Sequence, residues 1–425
     1  MFSMKNLTKI KGDIFGGITA GVISLPMALG FGAASGIGAA AGLYTAIILT
    51  LMASVFGSTK TQISGPTGPM VVLVAAIAAT YMDNIAIVFV ITALAGIFQI
   101  ILGITKMGRF IRLVPPSAIS GFISGIGIIV IVTQLPPLLG LASQGNVVNS
   151  LRYMMYLPPI NFYSLFVGAL AFSIVFFSPK QLGKIIPFSL LALIIGTLVA
   201  VLAGFSVPQL GLIPSGLPQI SLAPISMDKF IYILPVAFGL ALLSSIDTLL
   251  TSRAVDKVLG TKHNSNKDLV GIGLGNALAG VFGGFAGSNS TVPTMTNIKF
   301  GATGRLSGVI TACLLLLTLF VLAPVASKIP MAVLSGILIK IGLDVIDWRF
   351  IRRVGQNLRV LAKKLDLMTD AAVMGTVFMI TIFWNLIVAV GVGVVLHYAI
   401  RTVRYFNALR IRHDKHYIAH KQTGE

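Results

Sequence analysis

The chain has 425 residues, of which 56% are hydrophobic and only 10% charged, with 45 glycines and a formal net charge of +19. Soluble domains carry about a quarter charged residues, so a soluble protein is excluded, and basic residues clustered between apolar runs read as membrane loops rather than a nucleic-acid surface. Twelve acids, with Glu425 the sole glutamate, leave little for carboxylate-pair enzymes, and the single Cys313 excludes disulfide frameworks and cysteine metal sites.

The basic segment Met1–Lys11 leads into a long apolar run without a small-residue cleavage site, which predicts a first membrane span rather than a removable signal. A spanning helix needs about 20 mostly apolar residues. Such runs fall at 13–33, 37–56, 67–82, 84–104, 115–139, 160–177, 185–204, 231–252 and 268–285. Further runs follow at 291–300, which is short, and at 304–326, 329–345, 368–384 and 386–405. The expected fold class is therefore an all-α polytopic membrane protein of about 14 transmembrane spans. The intervals near 140–159, 205–230 and 346–367 are too short for a soluble domain, so residues 1–405 form one transmembrane domain and 406–425 a basic tail.

Lys and Arg fix the orientation, because basic residues near span ends stay in the cytoplasm. With the N-terminus inside, the inner loops carry Lys60, Lys106, Arg109, Arg112, Lys180, Lys184, Arg253, Lys257, Lys262, Lys267, Lys299, Arg305 and the 349–364 cluster. Outer loops carry Arg152, Lys229 and Lys328. Both termini are thus expected in the cytoplasm. The tail from Arg401 to Lys421 would lie at the anionic inner leaflet, as a topology anchor rather than a lipid receptor.

Three ordered matches suggest an internal repeat. Gly36-Ile37-Gly38 recurs as Gly271-Ile272-Gly273, and Ser64-x-x-Thr67-x-Pro69 as Ser288-x-x-Thr291-x-Pro293. Val114-Pro115, Ser120-Gly121 and Ile126-Gly127 recur as Ile329-Pro330, Ser335-Gly336 and Ile341-Gly342. Together they imply a 7+7 repeat, the first copy at about 13–204 and the second at about 231–405. An odd number of spans per copy makes the repeat inverted.

Gln62-Ile63-Ser64-Gly65-Pro66-Thr67-Gly68-Pro69-Met70 opens span 3, and Gly287-Ser288-Asn289-Ser290-Thr291-Val292-Pro293-Thr294 opens span 10. Neither segment suits continuous helix. Each reads as an extended lead-in with small hydroxyl residues at a helix N-cap. Irregular backbone at membrane depth survives where it is buried in protein or lines a polar cavity. Two half-helices aimed at one point near the midplane would present free N–H groups and positive dipole ends to an anion. The alternative is a pair of packing kinks, since Gly and Pro are frequent in spans.

Asp247, within Leu243-Ser244-Ser245-Ile246-Asp247-Thr248, is the one acid deep in an apolar stretch, where a carboxylate is costly and by default functional. Thr251 lies one turn on. The pair offers hard oxygen ligands to Na⁺, a proton carrier, or a hydroxyl-bonded Asp kept for packing. Lys340 is the other intramembrane charge and reads as snorkelling or a helix-end contact rather than a substrate ligand. His397 reads as structural, and His263, His413, His416 and His420 show no metal-ligand spacing. The glycine spacings at Gly12–Gly17 and Gly275–Gly284 suit close helix packing better than nucleotide binding.

At these residues the chain resembles the sulfate permease family of anion transporters over essentially its whole length. The resemblance rests on Leu25-Pro26, Ala41-Gly42-Leu43-Tyr44, the Ser64–Pro69 segment, Asp247, Thr294-x-Thr296-Asn297-Ile298 and the Gly301–Gly308 segment. Within the family it looks like the cyanobacterial sodium-dependent bicarbonate branch. Shared features are Pro66-Thr67-Gly68-Pro69-Met70, Ser245-Ile246-Asp247 to Thr251, Ser265-Asn266-Lys267 and Asp344-Val345-Ile346-Asp347-Trp348. The resemblance implies a core of spans 1–4 and 8–11, a gate of the rest, and elevator-like movement between them. It also implies a Na⁺ site at Asp247, Thr251, Asn289, Ser290 and Thr291, and an anion site at Thr67, Gly68, Ser290 and Thr291. In two respects the sequence departs from the family: Pro293 stands where many members have Arg, and these 425 residues do not include the usual cytoplasmic STAS domain, whether the protein lacks it or it lies beyond them.

The resulting expectation is a secondary transporter, not an enzyme, moving a small inorganic oxyanion with Na⁺ as the coupling ion across a bacterial inner membrane. Bicarbonate is the favoured anion. An H⁺-coupled sulfate or dicarboxylate transporter is the alternative, and a passive anion channel, which would not need Asp247, is the rival of another class. A nucleobase-cation symporter would be expected to carry acids in spans 8 and 10, and span 10 has none. The expected partners are the anion and the lipid bilayer, with a homodimer left open and nucleic acid excluded.

Overall fold

In the computed structural model the described residues are 4–81, 84–108, 114–144, 146–156, 158–178, 188–210, 220–221, 227–321, 327–356, 365–384, 388–389 and 391–402. The expected spans 67–82, 185–204, 304–326 and 386–405 lie partly outside them. So do Arg109, Arg112, Lys180, Lys184, part of the 349–364 cluster, and the tail beyond residue 402.

The described chain is almost wholly helical. The helices are α1 (Met4–Ala34), α2 (Ala39–Phe56), α3 (Gly68–Thr80), α4 (Ala86–Ile104), α5 (Pro116–Leu138), α6 (Val147–Met155), α7 (Phe162–Phe176) and α8 (Phe188–Leu202). They continue as α9 (Met227–Leu259), α10 (Ser265–Val281), α11 (Thr291–Lys299), α12 (Leu306–Val321), α13 (Met331–Val345), α14 (Trp348–Gln356) and α15 (Leu365–Phe383). A last helical stretch, α16, covers 391–402. Two-residue strands, β1 (Ser64–Gly65) and β2 (Ser288–Asn289), stand before α3 and α11. Five described helices are long and apolar enough to cross a bilayer, at Lys9–Ala34, Ala39–Phe56, Ala86–Ile104, Pro116–Leu138 and Phe230–Leu259.

Helices α6 and α14 occupy intervals that hydropathy leaves as connections. Both are short and amphipathic rather than apolar, so a span-length window passes over them. Asn146 caps α6 by accepting from the Asn149 N–H at 2.8 Å. In α14, Trp348, Phe350 and Ile351 alternate with Arg349, Arg352 and Arg353, an interfacial rather than a spanning pattern.

The chain divides into two compact units. One comprises residues 1–111 and 126–344, the other 112–125 and 345–425. In the first, α10 packs against α4 and α2, and α1 against α12 and α2. Glycine sets the first of these contacts: a Cβ on Gly96 of α4 would strike the backbone of Ala277 and Gly273 in α10. Close backbone approach of this kind replaces the hydrophobic driving force that lipid removes. In the second unit, Asp347 accepts from Ser120 Oγ at 2.8 Å while its N–H donates to Ser124 Oγ at 3.2 Å.

Local structure separates the three repeat matches. Ser64 and Ser288 both occupy strands directly before a helix, and Pro115 and Pro330 both stand just before one, α5 and α13. The glycine match is not equivalent: Gly36 and Gly38 turn the chain before α2 with φ of 75° and 118°, whereas Gly271 and Gly273 lie inside α10.

Candidate functional site

The two lead-ins meet. β1 and β2 pair antiparallel with Ser64 opposite Asn289 and Gly65 opposite Ser288. The pairing extends through the Ser290 N–H, which donates to the Ile63 carbonyl at 2.9 Å. Proline and glycine prevent helix here, so the backbone groups need partners elsewhere, and each segment supplies them to the other. Neighbouring helices complete the set. Thr50 of α2 receives the Ser64 N–H at 3.3 Å, Thr45 receives the Phe285 N–H at 2.8 Å, and Thr294 receives the Ile63 N–H at 3.0 Å.

A buried amide network fixes the approach of the second lead-in. Asn276 of α10 accepts from the Gly287 N–H at 2.8 Å and donates to Gln99 Oε1 of α4 at 2.7 Å. Gln99 donates to Ser244 Oγ of α9 at 2.9 Å, and that hydroxyl donates to the Gly287 carbonyl at 2.6 Å. All three side chains are buried, so the loop holds its position through satisfied polar contacts.

Two clusters arise on this frame. In the first, Asp247 Oδ2 accepts from Thr67 Oγ1 at 2.9 Å and from Ser288 Oγ at 2.5 Å, and these hydroxyls lie 2.7 Å apart. With the carboxylate ionised, three oxygen–oxygen contacts share two hydroxyl protons, so one contact always lacks a proton. A third proton completes the triangle, whereas a cation, which brings no proton, completes it only by binding the oxygens of that contact directly. In the second cluster, Thr251 Oγ1 lies 2.7 Å from Thr291 Oγ1 and donates to the Asn289 carbonyl at 3.1 Å. The Asn289 side chain points away and accepts from Ser64 Oγ at 2.7 Å.

The sequence-derived residues thus divide. Asp247 is grouped with Thr67, assigned to the anion, while Thr251 and Thr291 meet around the Asn289 backbone oxygen. Ser290 instead lines a small cavity of about 10 Å³ with Ser64, Gly65, Pro66, Pro293 and Ser24 of α1, room for a single water. Gly68 opens α3, and a Cβ there would touch Ile126 and Val130 at ordinary distances of 3.4 and 3.5 Å. Sequence reasoning did not place Ser288 or Ser24 in the site. The repeat offered a signal for Ser288, the counterpart of Ser64. Ser24 gave none, and its buried hydroxyl has no hydrogen-bond partner among the described residues.

A larger cavity, of about 210 Å³, opens between α1, α7, α8, α11 and α13, and Thr296, Lys299, Lys340 and Asp344 are among its lining residues. Lys340, read from sequence as snorkelling or making a helix-end contact, lines this cavity and pairs at 2.5 Å with Asp344, the residue before the last of α13.

The structure also forms a chain that sequence reading had missed at the α9–α10 turn. His263 Nδ1 is 2.6 Å from Asp256 Oδ2, and Ser265 Oγ is 3.1 Å from His263 Nε2. Asp256 further accepts from the His263 N–H and from Thr261 Oγ1, so the group closes the turn. Among the described residues, no cluster of three His, Cys, Asp or Glu is arranged to hold a metal ion.

Comparison with known proteins agrees with this architecture. The family described as sulfate permease matches residues 10–372, which include every candidate site residue. A protein named bicarbonate transporter BicA, from Picosynechococcus sp., is 42% identical over 405 residues, covering 91% of this chain and 69% of its own length. A protein named putative sulfate transporter YvdB, from Bacillus subtilis, is 32% identical over 97% of this chain and 78% of its own. The solved transmembrane domain of a cyanobacterium bicarbonate transporter BicA superposes with a TM-score of 0.80 at 40% identity, covering 91% of this chain and 98% of that one. These relatives are transporters rather than enzymes. With the match spanning most of its length, the chain belongs to the sulfate permease family of membrane anion transporters.

Proposed function

We propose that the protein imports a small inorganic oxyanion, bicarbonate in the first instance, coupled to Na⁺. The observation that carries the reading is the pairing of two non-helical lead-ins beside Asp247, with Thr67 and Ser288 on its Oδ2. A cation held by Asp247, with Thr251, Asn289, Ser290 and Thr291 as further oxygen donors, removes the negative charge beside Thr67. The hydroxyls of Thr67 and Thr291 then turn to the anion, together with Ser290 and the backbone at Gly68, at the starts of α3 and α11. Those starts suit an anion because unsatisfied N–H groups and the positive dipole end lie there. This ordering makes cation binding a condition of tight anion binding, which is symport. The relatives named bicarbonate transporters support the choice of anion.

In this reading the chain has about 14 spans arranged as an inverted 7+7 repeat, with α3 and α11 as half-helices. The repeats run over about 13–204 and 231–405, within a transmembrane domain of 1–405 followed by a cytoplasmic tail. A core of spans 1–4 and 8–11 carries the site past a gate in elevator fashion, in a bacterial inner membrane with both termini cytoplasmic. A homodimer is compatible with this arrangement.

An H⁺-coupled sulfate or dicarboxylate transporter is the second reading. It is favoured by the relative named putative sulfate transporter and by the oxygen triangle at Asp247, which one added proton would complete. Uptake of labelled bicarbonate and sulfate into proteoliposomes, under a Na⁺ gradient or a pH gradient, separates the two. Uptake indifferent to both gradients would instead leave a passive channel.

A further inference from the structure

We propose that the larger cavity holds a second, transient oxyanion site in which Lys340 binds the anion and Asp344 competes for the same ammonium group. The inference rests on the oxyanion reading above and extends it along the path to the site. Three observations carry it.

First, the cavity is charged where a membrane interior is ordinarily apolar. Lys299, Lys340 and Asp344 line it, two ammonium groups against one carboxylate, with hydroxyls from Thr19, Ser189 and Thr296. Its volume of about 210 Å³ exceeds the share of liquid taken by one water, about 30 Å³, several-fold. A small oxyanion fits with part of its water shell.

Second, the Lys340–Asp344 pair is suited to exchange. Nζ lies 2.5 Å from both carboxylate oxygens, and the side chains are 18% exposed at Lys340 and 56% at Asp344. The acid is the open member of the pair, so its hold on the half-buried ammonium is partly screened. Its order on the helix, base four residues before acid, is also the less favourable one for helix stability, so helix stabilisation does not account for it. An oxyanion offers Lys340 the same bidentate oxygens that Asp344 does.

Third, the cavity adjoins the candidate site. Val292, Thr296 and Lys299 present one face of α11 to it, so the cavity runs along that nine-residue helix from Val292, the neighbour of Thr291, to Lys299, about 11 Å further on by helical rise. Met27 of α1, 7% exposed, lines both this cavity and the small one beside Ser290. Among the described residues this unbranched thioether is the only side chain shared by the two spaces, and its free torsions allow it to swing aside.

The test uses the full chain in proteoliposomes at matched protein levels. Lys340→Gln should raise the KM for bicarbonate about three- to tenfold at low ionic strength, and Asp344→Asn should lower it, because the competitor is gone. Lys340→Arg should stay near the wild type, and all differences should shrink at high salt. Equal KM values, or shifts of the same sign in Lys340→Gln and Asp344→Asn, overturn the proposal. A second measurement needs no transport: labelling of Lys340 by an amine-reactive ester, followed by mass spectrometry. Sodium sulfate and sodium bicarbonate should slow that labelling in purified protein, and should still do so in Thr291→Leu. Protection without uptake would remove the transport reading and leave the Lys340 site standing. Uptake with neither protection nor KM shifts would remove the Lys340 site alone.

Discussion

Replacing Asp247 with Asn tests the coupling directly. The amide preserves shape and one acceptor oxygen, so Thr67 and Ser288, now 2.9 and 2.5 Å from Oδ2, keep a partner and the fold should survive. The charge is what disappears. A Na⁺ at about 2.4 Å from a carboxylate oxygen gains about 7 kcal/mol of Coulomb energy at an effective dielectric of about 20. Dehydration of both ions offsets much of this, and breaking a buried pair by removing one member typically costs about 3–5 kcal/mol. Na⁺ affinity should therefore fall by about a hundredfold or more. Through a coupling of about 1–3 kcal/mol, anion affinity should fall about five- to 150-fold with it. The assay is labelled bicarbonate uptake against Na⁺ concentration for both proteins at equal reconstitution. If Asp247 acted chiefly by repelling the anion, its removal would tighten anion binding. A variant that binds bicarbonate as tightly as or more tightly than a wild type indifferent to Na⁺ would refute the reasoning.

Thr67→Leu and Thr291→Leu should each abolish uptake at matched membrane levels, because each puts an apolar side chain beside a lead-in where hydroxyls meet; full uptake by both would sink the anion-site assignment. Asp268→Ala should lower stability by about 2–4 kcal/mol, read as a lower thermal midpoint in detergent. The buried carboxylate of Asp268 accepts from the Ser58 and Thr59 N–H groups and from three hydroxyls, on Ser58, Thr59 and Ser252. Gly96→Leu should prevent assembly of α4 on α10, giving little monodisperse protein, whereas Phe177→Leu, on an exposed position, should purify as the wild type does.

The amino-acid order by itself determined the class of molecule and the line of its helices. Bilayer thickness imposes length and apolarity on each span, and those are properties of contiguous residues. It also located the two lead-ins, since Pro66 with Gly65, and Gly287 with the hydroxyl residues after it, disfavour helix locally, while Pro69 and Pro293 stand in the first turns of the helices that follow. The short amphipathic helices α6 and α14 escaped it, because their stability comes from interfaces rather than from a run of apolar residues. It marked Asp247 by cost alone, as a charge in an apolar stretch, without naming what would satisfy it. Tertiary structure decided that. Ser288 and Thr67 reach Asp247 from segments 41 and 180 residues away, and the Asn289 side chain turns to Ser64 while its carbonyl faces Thr251. Whether an Asn offers its side chain or its backbone oxygen depends on the pairing of β1 with β2, and that register is set by backbone groups whose partners lie in the other half of the chain. The same holds for Lys340. Sequence showed a lysine near a helix end, and only the packing of α1, α7, α8, α11 and α13 around a void showed that it faces one.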